Sequence, residues 1–101
     1  MPAYMIFIRE SEIRDPEAMA RYQAGNRSGG PSHGIRPLAV NGKQEAIEGT
    51  APDGVVLLEF PDMDSAKAWY NSPEYQARVP DRLQAADYRC VLVEGWAPPA
   101  A

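Results

Sequence analysis

The chain has 101 residues, a formal net charge of −4 and a hydrophobic content of 45%. This length allows one small domain with a modest core. Because lysine and arginine form no run, the sequence lacks the basic face that binds a phosphate backbone or an anionic bilayer, so we expect neither nucleic acid nor membrane as a partner. The single cysteine, Cys90, excludes an internal disulfide, and we expect a cytoplasmic protein with a buried structural thiol.

The first predicted elements are a strand and a helix. Residues 3–8, AYMIFI, are apolar on both faces, which is typical of a strand covered on both sides. Asp15 is placed to cap a helix whose first residue is Pro16. Gly25 favours the end of this helix, and residues 26–34, NRSGGPSHG, have the composition of a mobile loop.

A hairpin and a central strand follow. The segments IRPLAV, residues 35–40, and QEAIEG, residues 44–49, flank Asn41-Gly42, which is a strong signal for a tight hairpin turn. Residues 55–60, VVLLEF, are again apolar on both faces, which favours a central position in the sheet.

The next part of the chain predicts an interrupted helix. Asp62 can cap a first segment that ends near Asn71, and Ser72 can cap a second segment with Pro73 at its first position. Pro80 is expected to kink or end this second segment, because proline has no amide donor. The second segment carries one apolar stripe, formed by Tyr75, Val79, Leu83 and Ala86.

The last strand, YRCVLVEG at residues 88–95, completes the order β, α, β-hairpin, β, α, β. This order predicts an α+β fold, a ferredoxin-like βαββαβ sandwich with an extra β-hairpin, over residues 1–96, with 97–101 as a tail. We expect both helices on one face, and the first and third main strands central and parallel. Because the strands are apolar on both faces, we expect a second copy of the chain to cover the other face in a homodimer.

The stretch AWYNSPEYQARVPDRL, residues 68–83, is rich in aromatic side chains. Trp69, Tyr70 and Tyr75 either complete the core or line a pocket between helix and sheet. Trp69 and Tyr75 would lie on different sides of one continuous helix, and a new helix start at Ser72 can turn both rings toward the sheet.

The same new start is expected to return Arg82 toward the strand that carries Glu59. By alternation Glu59 shares a face with Val55 and Leu57, so its carboxylate is expected to be partly buried and to need a partner. The candidate partners are Arg9, Arg36, Arg82 and Arg89. A structural ion pair and a catalytic carboxylate both remain open.

His33 is the one histidine of the chain and lies in the predicted loop. It is either a polar loop residue or a general base that works near neutral pH. Because a usual zinc site needs more ligands than one histidine without a nearby cysteine, we expect no metal.

Several stretches resemble the domain-of-unknown-function-1330 family, part of the dimeric α+β barrel superfamily. They are EG at 48–49, LEFPDMDSAKAWYNSPEYQA at 58–77 and VLVEG at 91–95, and the resemblance covers residues 2 to about 95. It implies a ferredoxin-like domain that forms a dimeric α+β barrel. It implies no particular reaction and no cofactor.

The superfamily includes haem-degrading monooxygenases, cofactor-free monooxygenases and small isomerases. The haem-degrading branch needs a histidine at the place of Val79, so we expect no haem. Two functions stay open: binding of a small apolar or aromatic molecule, and cofactor-free oxygenation or isomerisation of a small aromatic or polyketide-like substrate. The candidate catalytic residues are His33 and Glu59, and the candidate ligand-binding residues are Trp69, Tyr70, Tyr75, Arg82 and Arg36.

Overall fold

The structure is a computed structural model that describes residues 1–28 and 32–97. Its elements are β1 (Ala3–Arg9), α1 (Pro16–Ser28), β2 (Arg36–Val40), β3 (Gly54–Phe60), α2 (Met63–Tyr70), α3 (Pro73–Gln76), α4 (Val79–Ala85) and β4 (Tyr88–Glu94). The tail expected at 97–101 lies outside the described residues except for Ala97.

The strands form a four-stranded sheet in the order β2-β3-β1-β4. Neighbouring strands are antiparallel throughout, so β1 and β3 are central as predicted, but the prediction that they run parallel is wrong. The connection through α1 joins β1 to β2, and these two strands run in the same direction with β3 between them. The result is an antiparallel α+β sheet with helices on one face, the ferredoxin-like arrangement that the element order predicts.

The extra hairpin expected at Asn41-Gly42 does not form, and residues 41–53 contain neither helix nor strand. A two-residue hairpin turn of this type needs a positive φ at both central residues, and Asn41 has one but Gly42 does not. Instead the Asn41 amide donates to the Val55 carbonyl at 2.8 Å, and β2 pairs with β3 directly.

Helix α1 begins as predicted and ends later than predicted. The Asp15 carboxylate accepts a hydrogen bond from the Ala18 amide at 3.0 Å and so caps the helix. The helix continues past Gly25 to Ser28, so the first part of the expected loop is helical, and residues 29–31 of that loop lie outside the described residues. Gly25 serves a close approach rather than a helix end, since an added Cβ would lie 2.7 Å from Cδ of Arg78.

The helical region after β3 is divided into α2, α3 and α4. Asp62 caps α2 and Ser72 caps α3, as predicted. Pro80 lies in the first turn of α4, where a proline is tolerated. This third start changes the helical phase, so Leu83 of the predicted apolar stripe is 53% exposed, whereas Arg82 is buried.

The core lies between the helices and one face of the sheet. Its buried side chains are Ala3, Met5, Phe7, Leu58, Phe60, Ala66 and Tyr75, and a smaller group between α1 and α4 contains Ala18, Met19 and Ala85. Cys90 is exposed, so the expected buried thiol is wrong. Its strand, β4, is an edge strand of the sheet.

The opposite face of the sheet is apolar and not covered by the helices, which contact the Phe7 face through Tyr22, Trp69, Tyr75 and Arg82. Its apolar side chains are Tyr4, Ile6 and Ile8 of β1, Val55 and Leu57 of β3, and Val91 and Val93 of β4; we call this whole surface the open face. Along residues 1–28 and 32–97, no helix has the length and apolar character that crossing a bilayer requires.

Candidate ligand-binding site

A cleft of about 470 Å³ lies between α1, the α2–α3 region and the covered face of the sheet. Its floor is formed by sheet side chains: Phe7, Pro37, Val40, Val56, Leu58 and Tyr88. Met19 and Tyr22 of α1 form one wall, and Trp69 of α2 forms the other. This volume and this largely apolar lining are typical of sites for small organic molecules.

Polar groups are concentrated where α1 ends and α3 begins. The Arg78 guanidinium donates to Oδ1 of Asn26 at 2.8 Å. This bond links the residue just before α4 to the last turn of α1. Ser72 accepts from the Tyr75 amide at 3.3 Å and donates to the Trp69 carbonyl at 2.7 Å. The lining therefore combines an apolar floor with a few positioned polar side chains.

Trp69 and Tyr75 both face the sheet, which confirms the prediction for these two rings. Their centroids are 4.1 Å apart, and Tyr75 also lies 6.4 Å from Phe7. Tyr75 is fully buried, and its hydroxyl shares a 2.7 Å hydrogen bond with the hydroxyl of Tyr22. The pKa of Tyr75 is raised mainly because its hydroxyl is buried, and the neighbouring Tyr22 raises it further.

The three aromatic candidates have different positions. Trp69 is half-buried and forms a wall of the cleft, whereas Tyr75 belongs to the core behind that wall. Tyr70 lies 5.5 Å from Tyr75 and lines a separate, smaller pocket of about 180 Å³ next to Cys90. Tyr75 is therefore a core residue, Trp69 lines the cleft, and Tyr70 lines the smaller pocket.

Arg36 and Glu59 lie together on the open face, with 3.7 Å between Nη1 and Oε1. The prediction that Arg82 returns toward the strand of Glu59 is wrong, because Arg82 packs on Phe7 and Tyr88 at the covered face. Since its neighbour Leu58 points into the core, alternation places Glu59 on the opposite face. Its carboxylate therefore does not form the polar end of the cleft.

His33 lies in a tight turn before β2. The Ile35 amide donates to the Ser32 carbonyl at 2.9 Å, and His33 and Gly34 both have positive φ, as the central residues of a type I′ turn do. Neither His33 nor Glu59 is among the residues that line the cleft. The structure does not direct the two candidate catalytic side chains into a shared cavity.

Sequence reasoning missed Tyr22, Asn26 and Arg78 as lining residues. Met19, Tyr22 and Asn26 follow one another at helical spacing, so the signal for one continuous face was present. It was lost because the helix was expected to end at Gly25. Arg78 could not be found this way, because its position depends on the new start of α4.

Among the residues that the structure describes, no three His, Cys, Asp or Glu side chains cluster as ligands of a metal ion. Val79, which occupies the place where the haem-degrading enzymes need a histidine, is half-buried and packs against the core.

The fold and the cleft define an α+β protein of the ferredoxin-like class with a cavity between helices and sheet. Residues 2–96 match the family described as a domain of unknown function, DUF1330. The chain belongs to this family. No curated protein matches it.

Solved structures with the same fold come from several bacteria. A protein of unknown function from Rhodopseudomonas palustris is 22% identical, with a TM-score of 0.66 over 96% of this chain and 84% of its own. A dimeric protein of unknown function with a ferredoxin-like fold from Bacteroides fragilis is 17% identical, with a TM-score of 0.58 over 93% and 96%. An ethyl tert-butyl ether (ethd) family protein from Bacillus halodurans is 14% identical, with a TM-score of 0.63 over 95% and 100%. At these identities the similarity establishes the fold alone.

Proposed function

We propose that this protein is a homodimer in which each chain binds a small, mainly apolar and aromatic molecule in the cleft. The observation that carries the proposal is the composition of the lining. Sheet residues such as Phe7, Val56 and Leu58 form an apolar floor, and Trp69 presents an aromatic wall. Binding energy would come from burial of apolar surface, and the polar groups near Ser72 and Asn26 would orient the ligand.

Two observations support the homodimer. The open face presents apolar side chains on three neighbouring strands, and Val91, for example, is 44% exposed. Large exposed apolar surfaces of this kind mark interaction sites. The related structures from Bacteroides fragilis and Thermobifida fusca are described as dimeric. A second copy related by a two-fold axis would cover the open face with the same surface.

The lining favours binding over cofactor-free oxygenation or isomerisation. Such an enzyme needs an acid or a base that faces its substrate, and the candidates from the sequence, His33 and Glu59, lie outside the cleft lining.

Calorimetric titration with naphthalene-2-carboxamide, a neutral aromatic probe, tests the binding proposal. Val40 lies at the exposed edge of the cleft floor and is 61% exposed, so Val40→Trp should fill the cleft from this edge without disturbing the core. We expect this variant to weaken binding at least about tenfold. Leu83→Trp makes a comparable change at an exposed position away from the cleft and should leave the affinity unchanged. Equal binding by Val40→Trp would contradict the proposal, and so would a wild type that binds neither this probe nor the corresponding naphthalene-2-carboxylate.

A further inference from the structure

Arg82 is a buried cation that pairs with no carboxylate among residues 1–28 and 32–97. The residue is 4% exposed, and no described residue accepts a hydrogen bond from its buried Nε. The two carboxylates nearest to Arg82 in sequence have other partners: Asp81 binds Arg21 at 3.0 Å and Asp87 binds Arg14 at 2.9 Å. The described ion pairs therefore leave the charge of Arg82 without a compensating acid.

A buried guanidinium in this state is strongly unfavourable unless something compensates its charge. Two aromatic rings provide part of the compensation. The Arg82 Cζ atom lies 5.3 Å from the ring centre of Phe7 and 5.2 Å from that of Tyr88. Cation–π attraction stabilises the charge, but a ring face is a poor substitute for the carboxylate oxygens that usually accept from a guanidinium.

The same two rings belong to the floor of the cleft. Phe7 and Tyr88 are lining residues and Arg82 is not, so Arg82 lies behind these two rings and acts on the cleft through its charge rather than through a hydrogen bond. Because Arg82 is almost completely shielded from water, its field in the cleft is only weakly screened.

Two of the three charged side chains in the lining have the same sign as Arg82. Arg27 and Arg78 line the cleft together with one carboxylate, Glu74. With Arg82 behind the floor, this region is positive, although the whole chain has a formal net charge of −4. Local positive charge on an acidic protein favours an anionic ligand.

We propose that the ligand of the cleft is an aromatic carboxylate whose anionic group lies at the inner end, beside Phe7 and Tyr88, where Arg82 neutralises it. This inference rests on the proposed binding function and adds the chemical class of the ligand. A neutral aromatic molecule would fill the same apolar space but leave Arg82 uncompensated. The site would therefore select for the charged end of the ligand.

A pair of probes with the same ring system measures this selectivity. We expect wild-type protein to bind naphthalene-2-carboxylate at least about tenfold more tightly than naphthalene-2-carboxamide, because the charge of Arg82 attracts the carboxylate. Arg82→Met keeps much of the side-chain length and removes the charge. This variant should bind the two probes with nearly equal affinity, because its affinity for the carboxylate falls while its affinity for the carboxamide does not change. Arg27→Met removes an exposed cation of the lining, away from Phe7 and Tyr88, and should lower the ratio less than Arg82→Met does.

Thermal unfolding shows whether the charge of Arg82 instead stabilises the fold. We expect Arg82→Met, without ligand, to melt no lower than wild type, because it removes an uncompensated buried charge. If Arg82→Met does not fold, Arg82→Lys retains a cation and should still prefer the carboxylate probe.

The outcomes separate the two proposals. Equal affinities of wild type for both probes, or an equal loss of selectivity in Arg27→Met and Arg82→Met, would overturn the role of Arg82 but leave the binding function intact. Equal binding of the two probes by Arg82→Lys would overturn the role of Arg82 as well. If the wild type binds neither probe, both proposals are overturned.

Discussion

The hydroxyl groups of Tyr22 and Tyr75 form a 2.7 Å hydrogen bond behind the wall of the cleft. Tyr75 brings a polar atom into the core because its ring is fully buried, and Tyr22 supplies the partner that this atom needs. The bond also joins α1, which carries one wall of the cleft, to α3, which follows the other wall along the chain. This pair of side chains therefore contributes to the spacing of the two walls.

We predict that Tyr75→Phe lowers the free energy of unfolding by about 1–2 kcal/mol, because it leaves the half-buried Tyr22 hydroxyl without this partner. Urea denaturation measures the change. Tyr70→Phe removes a hydroxyl from the adjacent half-buried ring and should cost less than about 0.5 kcal/mol. An equal loss in both variants would show that the hydrogen bond has no special role.

The same pair predicts how stability depends on pH. Burial raises the pKa of Tyr75 above its ordinary value of 10.0, so the folded protein keeps a proton that the unfolded chain loses. This contribution to stability is complete below pH 10 and is lost as the pH rises further, since the unfolded state then binds fewer protons. The decrease should be smaller in Tyr75→Phe, although not absent, because burial also raises the pKa of Tyr88.

At the scale of elements, Ser72-Pro73 and Pro80 divide one potential helix into three segments with separate phases. The first interruption brings Trp69 and Tyr75 within 4.1 Å, although an unbroken helix would hold them apart. The second turns Arg82 inward and Leu83 outward. The start of α3 therefore positions the aromatic wall of the cleft, and the start of α4 positions the buried Arg82.

We predict that Ser72→Ala destabilises the protein by about 1 kcal/mol, because the Tyr75 amide loses its cap. It should also weaken binding of the naphthalene probes, since the cap sets the angle between Trp69 and Tyr75. Ser72→Thr keeps a hydroxyl and should retain most of both properties. Thermal melts and calorimetric titration of the two variants provide the comparison, and an unchanged Ser72→Ala would contradict the role of the cap.

Local signals were sufficient to predict the starts of α1, α2 and α3, but not that of α4. Asp15, Asp62 and Ser72 each accept a hydrogen bond from an amide three residues later, and such contacts depend on nearby sequence alone. The end of α1 was not predictable in this way. Gly25 resembles a helix end, but its role is to admit the side chain of Arg78 from a distant part of the chain.

The site was predictable only in part for the same reason. The inward direction of Trp69 and Tyr75 follows from one local restart. The position of Arg82 depends on two restarts and on the rings of Phe7 and Tyr88, which come from the first and last strands. No short segment of sequence contains that arrangement.

At the scale of the whole molecule, the sheet separates two apolar surfaces with different tasks. The covered face forms the core and the floor of the cleft, and the open face is the surface that we propose a second copy covers. Val91 lies on the open face, directly opposite Ile6 in the pairing of β4 with β1. A charge at this position would have to be buried in the proposed dimer interface.

We predict that the wild-type chain of 11.1 kDa scatters light as a dimer at micromolar concentration, and that Val91→Glu is monomeric. Leu83→Glu changes a residue of similar exposure, 53% against 44%, on α4 and should remain dimeric. A well-folded wild-type monomer would refute the dimer, and a dimeric Val91→Glu would place the interface elsewhere.

The pairing of β1 with β4 has a topological consequence. Ala3 lies opposite Glu94, and the Gly95 amide donates to the Pro2 carbonyl at 2.7 Å, so the two ends of the ferredoxin-like unit are adjacent. Residues 41–53, in contrast, take part in no strand and connect β2 to β3 along the surface. Joining position 95 to position 2 and opening the chain within 43–50 would give a circular permutant in which every strand keeps its neighbours. In that permutant the central strand β1 would follow β4 as one half of a hairpin, and the most distant pairing of the sequence would become a local one.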